Sequence, residues 1–449
     1  MTPMIQGAAI IPRGEFNRRD AMKTAVGSSL WGLLGSYAPW LGAVAADKAK
    51  AKRVIMIFNC GGPSHIDLWD PKPEAPSEIR GPFSTIPTKI PGVRFTELIP
   101  NLARIADKLC WIRTVHHQHT QHNSAMTWSI TGRPYRLDST LIHPSASDLP
   151  SLGTVVGHLA GPEFGKSGTV PYVITPFPSC DSYVYLSPGQ FGGCLGREAD
   201  PLILNLDPKI PYPKFLSDQK TPTGFQEDIH QKITLWQALD RESKTTLAYK
   251  IKAKEFLGDS PIRTASRLDL EPESIREKYG RHPWGESHLL ARRLLEAGTR
   301  FVSVINGPSI TWDTHKDNFS LLKNRLVPPM EKAFVALVED LIQRGLWDDT
   351  LVLSLSDFGR TPKINADAGR DHWPQCFSAI LGGGALIPGS VVGTSDRTGA
   401  LPKDEPHTPA DLHATILTAL GHNPEMVLKA KDGRPFIISE GKSISQILQ

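Results

Sequence analysis

Cysteine is scarce in this chain, and the little there is has no metal-binding or redox spacing. Cys60, Cys110, Cys180, Cys194 and Cys376 contain no CxxC pair and no zinc-ribbon arrangement, which excludes a cysteine-built zinc module. Their odd number leaves at least one unbridged, and a Cys180–Cys194 link closing a loop is left open. Charge of one sign is also lacking. Lys and Arg total 50 against 46 Asp and Glu, a net of +4 spread along 449 residues, so the chain carries no nucleic-acid footprint. There is no GxGxxG and no lysine-bearing phosphate loop, which removes the main support for nucleotide-binding folds. What remains is 40% hydrophobic and 21% charged, a globular chain able to bury a full core in one large α/β domain or two smaller ones.

The N-terminus carries an address. "NRRDAMK", Asn17 to Lys23, precedes an uncharged run, Thr24 to Ala46, ending in "AVAA" before a charged stretch. Paired arginines, a moderately apolar segment and an Ala-x-Ala site are similar to a twin-arginine export signal, cleaved after about Ala45. Pro39 and the small residues argue against a stable membrane span. Residues 1–45 are therefore expected to engage the twin-arginine machinery and to deliver a folded protein to the periplasm or beyond.

Polar clusters recur just after short apolar runs. "VIMIF", Val54 to Phe58, reads as a buried strand opening into "NCGGPSHIDLWD" with His65, Asp67 and Asp70. "RTVHHQHTQHNSAMTW" places His116, His117, His119 and His122 ahead of Ser124, with imidazoles the commonest neutral metal ligands. The strand "TRFVSVIN" leads to Asp313 and His315, two apart and on one side of an extended segment. Helical periodicity follows Pro329 and stops at Gly345. The strand "TLVLSL" then delivers Asp357 and the loop holding Arg360, Arg370 and His372. Carboxylates and histidines beyond the carboxyl ends of strands separated by helices are the ligand-binding edge of an open α/β sheet. Residues 180–285, Pro-rich and then charged, read as a peripheral helical insertion.

"LVEDLIQRGLWDDTLVLSLSDFGRTP", "WDTH", "SITGRPYR" and "HTPADLHATILTALG" resemble segments of the alkaline phosphatase and sulfatase superfamily. "GGPSHIDLWDPKP", "EIRGPF", "FGRTPKIN" and "GRDHWP" more specifically resemble the exported domain-of-unknown-function family 1501 within it, over about residues 50–449. The resemblance implies a three-layer α/β/α fold with a mostly parallel central sheet. It implies metal ligation by Asp313, His315, Asp357 and His372. The superfamily's SDHG has become SDFG, and Asn59 stands where an acidic residue ends the first strand. These departures put a second ion in question, with His65, Asp67 or one of the later histidines as the candidates to compensate.

Counting back from Thr131 puts His122 in the place of the sulfatase cysteine, which argues against a formylglycine nucleophile. Ser124 is the local nucleophile candidate, with Thr120 and Thr127 behind it; the alternative is direct attack by metal-activated water. Arg360 and Arg370 are expected to hold substrate oxygens. Mixed imidazole and carboxylate ligands suit one or two zinc or manganese ions. The function expected is an exported metal-dependent hydrolase of phosphate or sulfate esters, small or polysaccharide-borne. Two alternatives are a catalytically degenerate cell-envelope binding or structural protein with the same fold, and a carbohydrate-active role using Trp312, Trp347 and Trp373 as sugar platforms.

Overall fold

The computed structural model describes residues 51–161, 169–182, 185–204, 261–307 and 309–449. The export signal read at residues 1–45 lies outside them, as does the middle of the 180–285 stretch. The described residues fall in one compact unit, Lys48–Gln449.

Ten strands and seven helices matter here. The strands are β1 Arg53–Asn59, β2 Leu109–Val115, β3 Tyr172–Thr175, β4 Leu202–Ile203, β5 Phe301–Asn306, β6 Thr350–Ser356, β7 Gly359–Arg360, β8 His372–Trp373, β9 Phe377–Gly383 and β10 Val391–Val392. The helices are α1 His122–Thr131, α2 Leu152–Leu159, α3 Pro261–Ser266, α4 Glu273–Tyr279, α5 Pro283–Glu296, α6 Val327–Gln343 and α7 Pro409–Ala419.

Eight strands form one sheet in the order β10-β2-β9-β6-β1-β5-β3-β4. Only β9 runs against its two neighbours; all other pairings are parallel. A parallel strand covered on both faces needs an unbroken apolar run, and β1 shows why. Val54, Met56 and Phe58 enter one core layer with Met126 and Ile130 of α1 and Leu412 and Ile416 of α7. Ile55 and Ile57 enter the other, with Leu290 and Leu294 of α5 and Phe334 and Leu337 of α6. Helices thus cover both faces, and the architecture is three-layer α/β/α with a mostly parallel sheet. The helix expected after Pro329 is α6, followed by Gly345 at φ 67°. No helix among the described residues is long and apolar enough to cross a membrane.

One expectation is corrected, and one question left open is answered. The 180–285 stretch is not peripheral at its described ends. Strand β4 pairs in parallel with β3, and Leu204, Ile262, Ala265, Leu268 and Tyr279 are buried in the main core. Cys180 and Cys194 are both buried and form no disulfide.

Candidate metal centre

The sheet's carboxyl edge gathers the polar residues. Strand β1 ends at Asn59, and the chain turns at Gly61, where φ is 108°. A Cβ there would lie 2.6 Å from the Asp313 backbone nitrogen and 2.7 Å from that of Trp312, so only glycine allows the loop after β5 to close on the loop after β1. That closure carries Asp313 to the site. Gly369 likewise lets the loop before β8 pass against the His315 carbonyl.

Three imidazoles converge on one carboxylate oxygen. Asp313 Oδ1 lies 3.3 Å from His122 Nε2, 3.1 Å from His315 Nε2 and 3.2 Å from His372 Nε2. The ligand atoms of His122, Asp313 and His372 all lie within 4.8 Å of one another. Each ring's other nitrogen faces a group that can only accept. His122 Nδ1 is 2.5 Å from Asp357 Oδ2, His315 Nδ1 is 2.7 Å from Asp371 Oδ1, and His372 Nδ1 is 2.6 Å from the Thr120 carbonyl. Donation to those acceptors places the proton on Nδ1, so each neutral ring turns the lone pair of Nε2 inward. His315 and His372 then face one another nitrogen to nitrogen at 2.9 Å, and His122 Nε2 is buried without a hydrogen-bond partner. The Nε2 atoms of His122 and His372 beside the Asp313 carboxylate, with His315 Nε2 at their edge, form a place where a cation would be stabilised. Carboxylate- or carbonyl-backed histidines around a carboxylate form a donor set that fits zinc or manganese.

The electrostatics agree. Burial alone would raise the Asp313 pKa, but His122, His372 and Arg360 hold it far below the carboxylate range. Burial disfavours the charged form of His122, yet Asp357 and Asp313 together push its pKa up to about 9. The same two carboxylates that favour positive charge on His122 would favour a cation beside it.

Asp313, His315 and His372, expected as ligands, come together. Asp357, also expected as a ligand, stands behind His122 instead, and Gly61 N–H donates to its two oxygens at 3.1 and 3.2 Å. His122, read from sequence at a nucleophile position, points its imidazole into the cluster. Phe358 packs on the His122 and His372 rings, with centroids 4.8 and 4.5 Å away.

The other residues read from the sequence are engaged elsewhere in the protein. Asp67 is fully buried and bound by Arg370 (Nε 2.7 Å, Nη2 2.8 Å) and by Asn318 Nδ2 at 2.8 Å, so its oxygens are spent. His65 is buried with Nε2 on the Gly399 carbonyl, 2.8 Å away, and stays outside the cluster. Arg360 is also fully buried; its Nε donates to Gly62 O, its Nη1 to Arg370 O and its Nη2 to Gly61 O, and Nη2 lies 2.7 Å from Asp313. Arg370 spends its remaining donors on the carbonyls of Ile79, Thr361 and Pro362. Both guanidinium groups are thus engaged with protein acceptors. Ser124 Oγ is buried and donates to Asp138 Oδ1 at 2.6 Å, Thr120 Oγ1 donates to Asp138 Oδ2 at 2.9 Å, and Thr127 Oγ1 donates to the Asn123 carbonyl. Trp312 is buried and stacked on Trp284, and Trp347 packs on the core, while half-buried Trp373 donates to the Ala400 carbonyl.

Asp371, which orients His315, went unread in the sequence although it sits beside His372 in "GRDHWP". Thr120 acts through its carbonyl, which no side-chain motif reveals.

A three-layer α/β domain with a histidine–carboxylate cluster at the carboxyl edge of its sheet is the class that fold and site define. The chain belongs to the family described as Protein of unknown function (DUF1501), which it matches over residues 51–448. No curated protein matches it. Among solved structures it is similar to a protein in the alkaline phosphatase superfamily from Vibrio parahaemolyticus, at 11% identity over 90% of this chain and 71% of that one, TM-score 0.40. It is also similar to the phosphonate monoester hydrolase SpPMH from Silicibacter pomeroyi, at 12% identity over 88% and 76%, TM-score 0.40. The PsFucS1 sulfatase from Pseudoalteromonas sp. shares 14% identity over 95% and 77%, TM-score 0.36. Likeness at this level transfers no individual residue and no substrate.

Proposed function

We propose that the chain is a metal-dependent hydrolase of phosphate or sulfate esters that works without a side-chain nucleophile. The observation that carries this reading is the convergence of three Nε2 atoms on Asp313 Oδ1 with every Nδ1 already committed. His122, Asp313, His315 and His372 would hold one zinc or manganese ion, which supplies a Lewis acid for a phosphoryl or sulfuryl oxygen and lowers the pKa of water bound to it to about 7. The chain's own residues do the rest. Asp357 and Asp371 fix the tautomers of His122 and His315, Arg360 anchors Asp313 from behind, and Phe358 covers two of the rings.

Phosphate and sulfate esters are named because the sequence motifs resemble that superfamily. Water is taken as the attacking group because Ser124 and Thr120 both donate to Asp138, away from the imidazole cluster. The test is a panel of aryl phosphates and sulfates with the purified protein, before and after chelation. Turnover of at least one ester is expected, lost on chelation and restored by zinc or manganese, and Ser124→Ala should retain it within about threefold. Loss of turnover in Ser124→Ala with metal content intact would restore serine as nucleophile. A protein that binds its ion but turns over no ester would favour the binding-protein alternative, which the replacements at Asn59 and Phe358 suggest.

The twin-arginine reading of residues 1–45 supports export of the protein to the periplasm or beyond. Replacing both Arg18 and Arg19 by Lys should leave the precursor in the cytoplasmic fraction, and normal export of that variant would refute it.

A further inference from the structure

The three rings differ in what stands behind them. His122 and His315 each have a carboxylate on Nδ1, whereas His372 has a backbone carbonyl, that of Thr120. That carbonyl belongs to the peptide group joining Thr120 to Gln121, whose N–H donates to Asp138 Oδ1 at 3.0 Å. A carboxylate therefore stands behind His372 as well, with one peptide unit between them.

We infer that Asp138 is a positioning residue for the metal centre, acting on His372 through the Thr120–Gln121 peptide. An amide that donates to a carboxylate is a stronger acceptor at its oxygen, because hydrogen bonds in a chain polarise one another. The stronger acceptor holds the His372 proton on Nδ1 and keeps Nε2 free to face Asp313.

Geometry supports the same role. His372 sits on β8, one half of a ribbon of two residues per strand, which by itself fixes a side chain poorly. Asp138 holds the Thr120–Gln121 segment at three points, Thr120 N and Oγ1 at 2.9 Å each and Gln121 N, and accepts from Ser124 Oγ of α1 at 2.6 Å. Beside it, Asn123 Nδ2 donates to the carbonyls of Thr140 and Ile142, at 3.1 and 2.9 Å. The loop after α1 is thereby tied to the helix's own first turn. Asp138 is exposed and touches no atom of the cluster, so replacing it opens no cavity there.

The inference rests on the metal reading above, and its test separates the two. Zinc affinity of the purified protein is measured by competition with a chelating dye, and the visible spectrum is recorded with cobalt in place of zinc. Outer partners of metal-binding histidines are worth 10- to 100-fold in affinity, so Asp138→Ala should weaken zinc binding by about tenfold and shift the cobalt bands. Asp138→Asn, which keeps an acceptor oxygen for the Gln121 N–H, should recover much of that loss. A role confined to capping α1 predicts a lower melting temperature with unchanged affinity and spectrum in Asp138→Ala. That result, in a protein whose wild type binds zinc, overturns the inference and leaves the metal reading intact. A wild type that binds neither zinc nor manganese overturns both.

Discussion

Asp313→Ala will abolish stoichiometric metal binding and reduce ester turnover by roughly a thousandfold, the equivalent of the several kcal/mol a Lewis acid supplies in the transition state. No other substitution at the site is expected to do as much, because one oxygen of this residue faces three imidazoles and a guanidinium. The loss will extend to stability. Arg360 is fully buried, and its only carboxylate partner among the described residues is Asp313. Removing one member of a buried pair costs about 3–5 kcal/mol, because the charge left behind has neither water nor a counter-ion. Asp313→Asn keeps the shape and an acceptor oxygen while removing the charge, so it opens no cavity but still leaves Arg360 without its counter-ion. It should lose the ion as the alanine variant does. Metal content and melting temperature, read side by side, check both parts.

Arg370→Leu will destabilise the protein by about 3–5 kcal/mol without removing the metal ligands. Both oxygens of Asp67 accept from this guanidinium, and both partners are fully buried. Arg370 also satisfies the carbonyls of Ile79, Thr361 and Pro362, tying the Ser77–Arg80 helical turn to the Thr361–Pro362 segment. Adding Asp67→Leu should recover part of the loss, since an apolar pair is often as good as a buried ionic one. Recovery will be incomplete because the three carbonyls still lack a donor. Denaturant unfolding of the two single variants and the double variant measures this. Equal stability of wild type and Arg370→Leu would contradict the clamp.

These two arginines show where sequence reading stops. The loop "SDFGRTPKINADAGRDHWP" displays its charges plainly, but a guanidinium offered to a substrate and one spent on backbone carbonyls look the same in one dimension. What separates them is the close approach of the β1 and β6 loops, set by Gly61 and its neighbours. The strands were legible because β1, β5 and β6 are covered on both faces and so had to be continuous apolar runs. Helix α6 was legible from its apolar periodicity. Strand β4 was not, since two residues pairing at a sheet edge leave no pattern, and a Pro-rich flank hid it.

The site was half legible for the same reason. Asp313, His315 and His372 could be read because each sits on a loop leaving a recognisable strand or on a distinctive motif. Asp357 was read as a ligand from its place after β6. Its actual role follows from His122 reaching across from α1, 235 residues away in sequence. Asp138 has no signal at all, because it acts through a peptide group.

The central claim is that His122, Asp313, His315 and His372 hold an ion, and metal analysis of the purified wild-type chain tests it most directly, paired with melting curves in added zinc or manganese. The account predicts about one divalent ion per chain and, for the chelated protein, a rise in melting temperature on adding metal. At a hundredfold excess over the dissociation constant this corresponds to about 2.7 kcal/mol. His372→Ala should show a smaller rise. A carefully prepared wild type with no stoichiometric ion, whose melting no divalent ion shifts, would contradict it.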